Sequence, residues 1–582
     1  MKYLNKHLLP AEQTLKKALL ALWPAYRNVF LFGFFTNVML LAPSWYMLEV
    51  YSRVINSRNI TTLVMLTLLV TFIYLIMEAV EWVRRKILHT AATEVEQVLQ
   101  QKLFEAAFAA KLKNAQFSSQ QVFADFATVK SSLYSSALLG LIDLPFAAIF
   151  LLVIFLIHPA LGLLTTLGLV IQVTITLANQ WRINPQMKEA NQHAIEAQRY
   201  FTSVSHKADV VQAMGMLAPI EKKWLVAQQA FLLKQAQASE LAGKSAASSK
   251  FLQTLQSSLI LGLACYLVIS GKLPNGGAMM IIASILAARV LAPLVQLVSQ
   301  WKTLAQAKEA YLRLEPLLQT FSASKSGMDL PPPTGEISVE NLSYALPNLG
   351  KTPNEVFLKN IGFKLNKGDV LVIAGPSASG KTTLSKLLAG LAAPTSGKVR
   401  YNGVDAYAWD KNALGQHIGY MSQEVELMDG TVAENIVRFG EQDETKLAEA
   451  IDLLGLQELI NKLPHGLASQ IGSDGAFLSG GQRQLIGLAR AVYGAPKIII
   501  LDEPNANLDQ AGEKHLQQMI TKLKQQGTTF VVISHLQHIV GIADYLLVMM
   551  QGQVLRFGKP TEVMNSLQAI QMSEPNAKAV KA

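Results

Sequence analysis

Among 582 residues there is one cysteine, Cys265. A disulfide within the chain is therefore impossible, and a metal site built on thiols is argued against. Cys265 lies in the apolar run LILGLACYLVIS and reads as a small packing residue. Charge is also scarce: 16% of residues are Asp, Glu, Lys or Arg, against 51% apolar. That balance leans away from an ordinary soluble protein. The net charge of +10 comes with no aromatic-interleaved basic patch, so nucleic acid is not an expected partner. Basic residues gathered in loops beside membrane spans explain it better. No period suggesting repeats is evident. The opening MKYLNKHLLPAEQTLKKALLALW has basic residues but lacks a compact apolar core with a small-residue cleavage site. Residues 1–28 thus read as an amphipathic lead-in and not as a removable signal.

What the first half does have is long uncharged runs. A helix needs about 20 mostly apolar residues to cross a bilayer. Candidates run from Val29 to Leu48, from Ile60 to Met77, and from Leu144 to Gln180, where His158-Pro159 splits the run into two helices. A fifth runs from Phe251 to Ser270, and a sixth follows Pro274-Asn275-Gly276-Gly277 to about Gln300. Segments 1–28, 81–136 and 181–250 hold 5, 7 and 9 Lys/Arg, while the opposite connections hold only Arg53, Arg58 and Lys272. This asymmetry places both termini and two long helical loops in the cytoplasm. Asp143, before Pro145, and Arg289, within the sixth span, are charges whose cost at membrane depth suggests a cavity or a partner; snorkelling of Arg289 is the alternative. Glu78 and Glu81 beside Arg84 and Arg85 read as surface pairs at helical spacing. The segment FSASKSGMDLPPPTG reads as a linker. The expected division is a six-helix membrane domain over 29–321, a linker over 322–335, an α/β domain over 336–570 and a tail over 571–582.

Beyond the linker, VLVIAGPSASGKTTLSKLLAGL reads as strand, loop and helix. Its loop is Gly375, Pro376, Ser377, Ala378, Ser379, Gly380, Lys381 and Thr382, with Thr383 following, and it fits G-x-x-x-x-G-K-S/T. Glycines let backbone N–H groups approach phosphates, Lys381 neutralises their charge, and the Thr382 hydroxyl suits Mg²⁺ at a helix N-terminus. Chance would produce the pattern in roughly 1% of chains this long. A second apolar strand, KIIILDEP, ends in Asp502-Glu503. The carboxyl end of such a strand is where α/β sheets place ligands. Asp502 there suits the Mg²⁺ shell, and Glu503 the polarising of an attacking water.

LSGGQRQ, from Leu478 to Gln484, matches the ABC signature, and with the phosphate loop the chain is identified as resembling the ABC ATPases. The expected fold class is thus an α-helical six-span membrane domain of the ABC exporter type, followed by an α/β P-loop ABC ATPase domain. The resemblance implies further roles. Tyr344 matches the aromatic that stacks on adenine, and Gln423 the glutamine that joins the γ-phosphate and metal site to the membrane domain. His535 matches the switch histidine, and Asn507-Leu508-Asp509 the dimer-contact loop. Two copies are expected to sandwich two ATP molecules, each between one copy's phosphate loop and the other's Ser479, Gly480, Gly481 and Gln482. ATP binding would close the pair and hydrolysis reopen it, the motion passing through loops near Phe117 to Phe126 and Thr202 to Met216.

Over nearly its whole length the chain also resembles the type I secretion exporters of the PrtD-like kind. The markers are MLEVYSRVINSRN, LIDLPFAAIFL, AARVLAPL and LDEPNANLD. Glu49, Ser52 and Ser422 depart from that group's Gln, Asp and Pro. The resemblance implies export of an unfolded protein with a C-terminal signal across the bacterial inner membrane, with the ATPase domain in the cytoplasm. Implied partners are a second copy, a periplasmic membrane-fusion adaptor, an outer-membrane channel, the secreted protein and membrane lipid. The membrane half starts near residue 29 and Cys265 lies in a span, so no cysteine-peptidase domain and no trimming of cargo by this chain are expected. The competing readings are an exporter of lipid or small amphiphiles, which shares every ATPase motif, and a non-transporting regulatory ABC ATPase. An importer fits the fused layout poorly.

Overall fold

Apolar periodicity and proline placement dictate the elements of the first half. The structure, a computed structural model, describes residues 14–113, 117–205, 207–273, 276–321, 330–345 and 356–566. The chain divides into two compact units, Met1–Ser324 and Lys325–Ala582. The first part of the lead-in (1–13), the start of the linker (322–329) and the tail over 571–582 lie outside the described residues.

In the first unit, six helices among the described residues are long and apolar enough to cross a membrane: Trp23–Ser57, Ile60–Leu112, Ser136–Ile157, Pro159–Ser205, Leu217–Ile269 and Ala278–Ser299. They coincide with the six runs read from sequence, and three extend well beyond them. The first span is broken near Leu40-Leu41, where Ala42-Pro43 restarts the helix; Pro43 has no N–H to continue the preceding turn. At the split in the long uncharged run, His158 is extended between two helices and its Nδ1 accepts from Ala160 N at 3.2 Å. Pro159 occupies the first helical position, where a missing N–H costs nothing.

The surface pairing expected of Glu81 with Arg84 does not hold. Arg84 is no surface residue: its side chain is 2% exposed, and it bonds Glu81 at 2.7 Å and Asp143 at 2.6 Å. Asn37 donates to the same Asp143 oxygen at 3.4 Å. A Cβ on Gly33 would lie 3.0 Å from Arg84 Nη2 and 3.2 Å from Asp143 Oδ1, so glycine makes the room. Three spans thus meet on one guanidinium. Only Arg85–Glu81 keeps the surface character expected of it. Arg289 is exposed on the sixth span.

The described part of the lead-in, Leu15–Ala21, buries Leu15 and Ala18 against Leu99, Leu103, Leu314 and Leu318. Its open N-terminus is served from 299 residues away, Lys16 N donating to Glu315 Oε2 at 3.0 Å. Arg313 grips Asp125 bidentately at 2.8 and 2.7 Å.

The second unit is an α/β domain. Among the described residues its strands are β1 (Ile337–Ala345), β2 (Val356–Leu365), β3 (Val370–Ala374), β4 (Ser396–Tyr401), β5 (Val404–Asp405), β6 (Ile418–Met421), β7 (Ile498–Asp502), β8 (Thr529–Ile533), β9 (Tyr545–Met550) and β10 (Gln553–Gly558). The central sheet runs β10-β9-β3-β8-β7-β6, parallel except at β10; an antiparallel sheet runs β2-β1-β4-β5. Alternation between two covered faces explains why β3 is apolar throughout, and β7 and β8 apart from Asp502 and Thr529. Val372, Leu501 and Val532 face one core, while Ile373, Ile500 and Ile533 face the other. Both faces are covered, and each fully buried branched side chain contributes about 1.5–3 kcal/mol. The edge at the carboxyl ends of β3, β6, β7 and β8 carries the candidate site.

Candidate nucleotide site

The loop after β3 leads into the helix Lys381–Leu388. Gly375 has φ 152° and Gly380 φ 99°, conformations that favour glycine, and a Cβ on either would strike Met549 O or Leu358 respectively. The backbone is thereby free to curl around the helix N-terminus, where N–H groups and the helix dipole favour anions. Lys381 is nearly buried, and its Nζ donates to the carbonyls of Gly375 at 2.7 Å and Pro376 at 3.0 Å.

Neighbouring strands supply the rest. Thr382 Oγ1 lies 3.5 Å from Gln423 Oε1, and Gln423 Nε2 donates to Glu503 Oε2 at 3.2 Å. A cavity of about 190 Å³ is lined by Phe357, Ser377, Ala378, Ser379, Gly380, Lys381, Thr382, Thr383, Gln423 and Glu503. Asp502, at the end of β7, is 1% exposed, and burial pushes its carboxyl above the ordinary carboxylate range. Its Oδ2 accepts from Ser385 Oγ at 3.2 Å, while Oδ1 and the hydroxyl of Ser379 are buried without a partner. Those orphaned oxygens, beside a threonine hydroxyl and a glutamine carbonyl, form an all-oxygen set of the kind Mg²⁺ prefers. Glu503 takes a left-handed φ of 49°, its N–H bonded to Ile533 O at 3.0 Å and its carbonyl to Gln484 Nε2 at 3.1 Å.

Other expected residues stand apart from that cavity. Ser479 caps the helix Gly480–Val492 and forms a capping box with Gln482, at 2.8 and 3.3 Å. Gly481 approaches Asn507 O so closely that a Cβ would lie 2.8 Å away. Gly480 lines a second cavity, of about 430 Å³, with Gln423, Glu424, Glu426, Asp474 and Arg483. Asp509 caps the next helix, accepting from Gly512 N at 2.8 Å. His535 follows β8 and is exposed. Tyr344 sits half-buried on β1 and does not line the smaller cavity. Phe357 does, through cross-strand placement that no local pattern announces: it is the β2 residue beside Leu358, which is paired with Tyr344.

Residues 358–506 match the family model described as "ABC transporter", and residues 27–290 match "ABC transporter transmembrane region". The chain is 32% identical over 549 residues to the type I secretion system ATP-binding protein PrsD of Rhizobium meliloti (strain 1021), covering 94% of this chain and 93% of that one. It is 26% identical to the alpha-hemolysin translocation ATP-binding protein HlyB of Proteus vulgaris, covering 94% and 78%. Among solved structures it is similar to a bacterial Atm1-family ABC exporter with ATP bound, with TM-score 0.81, 18% identity and coverage of 95% and 96%; this likeness is one of fold. With a nucleotide-binding edge built from its own strands and relatives matched along almost its entire length, the chain belongs to the ABC transporter family, as a membrane domain and ATPase fused in one polypeptide.

Proposed function

We propose that the chain is the ATP-hydrolysing membrane component of a type I secretion system, exporting an unfolded polypeptide with a C-terminal signal. The likeness to PrsD over 94% of the chain supports the class of cargo. In this reading the protein lies in the bacterial inner membrane with its ATPase unit in the cytoplasm. It works as a homodimer, with a periplasmic adaptor and an outer-membrane channel.

The single observation that carries the chemistry is the meeting of Lys381, Thr382, Gln423 and Glu503 around one cavity. Lys381 exchanges the carbonyls of its own loop for the β- and γ-phosphates. Ser377, Ala378, Ser379, Gly380 and Thr383 cradle them from the backbone, on the turn that Gly375 and Pro376 begin. Thr382, Gln423 and Asp502 hold Mg²⁺, which when bound neutralises developing phosphate charge. Glu503 orients water for attack, with Gln423 fixing its carboxylate. Tyr344 stacks on adenine. Ser479, Gly480, Gly481 and Gln482 close over the nucleotide of the second copy, Asp509 lies at the contact between copies, and His535 senses the γ-phosphate.

Changing Glu503 to Gln tests this reading. Turnover should fall by two orders of magnitude or about that, while ATP stays bound and the ATPase units stay paired, as read by retained nucleotide and cross-linking. Ordinary turnover in that variant would refute the assignment.

A further inference from the structure

We propose that Ser385 is a positioning residue for the metal-facing carboxylate of Asp502, deciding which of its oxygens is left for Mg²⁺; the inference rests on the nucleotide-site reading above.

Ser385 lies one helical turn after Thr382, on the helix that follows the phosphate loop, and is fully buried. Its Oγ is 2.9 Å from Thr382 O and 3.2 Å from Asp502 Oδ2, a residue 117 positions away. A hydroxyl carries one proton and serves one acceptor at a time. Inside a helix the ordinary acceptor is a carbonyl of the preceding turn. Here a carboxylate competes, and a charged acceptor makes roughly twice as strong a bond. The side chain of Tyr420, half-buried on β6, also interacts with the Ser385 side chain.

The two carboxylate oxygens end up in different situations. Oδ2 is engaged by the serine, the Thr382 side chain also acts on the carboxylate, and Oδ1 is buried with no hydrogen-bond partner of ordinary geometry among the described residues. An unpaired buried carboxylate oxygen is costly unless a cation meets it. Holding Oδ2 fixes the carboxylate plane about its last torsion, and so fixes the direction in which Oδ1 points. Groups that orient a ligand in this way typically change metal affinity by about 10–100-fold when removed.

The test is a Mn²⁺ titration of the full-length protein in detergent with a non-hydrolysable ATP analogue, followed by electron paramagnetic resonance. Ser385→Ala should weaken Mn²⁺ by about tenfold and broaden the bound-Mn²⁺ signal. Analogue affinity in EDTA and the melting temperature should stay near those of the parent. Ser385→Thr, which keeps the hydroxyl, should restore the affinity to within about twofold, a small residue of the tenfold loss. Unchanged Mn²⁺ affinity in Ser385→Ala would overturn the proposal. So would an equal loss in Ser385→Thr, or a parallel fall in EDTA, since either marks packing and not orientation. Asp502→Asn separates the two levels: if it leaves Mn²⁺ binding intact, the metal site itself is misassigned and the proposal falls with it.

Discussion

Asp502 and Glu503 are adjacent acids with opposite surroundings. Asp502 ends a strand whose neighbours bury it, whereas the left-handed turn at Glu503 swings the next side chain towards the cavity. In the proposed mechanism the first is kept for a cation and the second for water. Lys381 is equally committed, being nearly buried with its ammonium on two loop carbonyls. Lys381→Ala should reduce nucleotide affinity by about tenfold or more, the worth of one charge-assisted contact to phosphate, measured with a fluorescent ATP analogue. Unchanged affinity would mean the ammonium never turns to the phosphates. Arg438 is a structural counterpart. Its guanidinium donates to the carbonyls of Gly415, Ile418, Arg490 and Ala491, and burial pulls it down to about 10, still charged at neutral pH. Arg438→Leu orphans those carbonyls and should cost about 3 kcal/mol, seen as an earlier unfolding transition of the ATPase unit in urea. A transition at the parent's urea concentration would mean the carbonyls find other partners.

Among the elements, the transmembrane helices carry the less legible features. The runs of apolar residues and the break at His158-Pro159 gave six spans directly, because bilayer thickness and proline chemistry act locally. The Arg84 cluster could not be read that way. Its acid on the third span is 59 residues distant, and spacing alone made Glu81 and Arg84 look like a surface pair. Removing the cation leaves two acids facing each other at low exposure. Arg84→Met should lower stability by about 3–5 kcal/mol, read as a drop in melting temperature in detergent. Adding Asp143→Asn and Glu81→Gln should recover much of it; a melting temperature indifferent to Arg84 would show the cluster to be incidental. The fourth and fifth spans hold a second such feature. Gln172 Nε2 donates to Ser249 Oγ at 2.9 Å, and Gln256 occupies the space that Gly168 leaves by having no Cβ. Gly168→Ala forces that amide aside and should cost about 1–3 kcal/mol in the same assay, whereas a neutral outcome would mean the two helices shift to accept it.

For the molecule as a whole, the order of motifs along the ATPase half made the candidate site residues nameable in sequence. What sequence withheld was their division. Lys381, Thr382, Gln423 and Glu503 gather round one cavity, while Ser479 and Gln482 are spent on capping a separate helix. Phe357 and Ser385 were missed, because cross-strand and long-range neighbours leave no spacing signal. The proposed sandwich of two copies explains the division, and it places Ser479→Arg in the other copy's site. That variant should retain nucleotide binding yet hydrolyse ATP at least about tenfold more slowly; normal hydrolysis would argue against sharing. The class of cargo is open to a direct comparison. Proteins of the culture medium would be quantified by mass spectrometry from cells carrying the parent chain and cells carrying Glu503→Gln, with expression matched. If the cargo is protein, one or a few proteins vanish from the medium of the variant while the rest are unchanged. An identical set of secreted proteins would contradict protein export and leave an exporter of lipid or small amphiphiles as the better description.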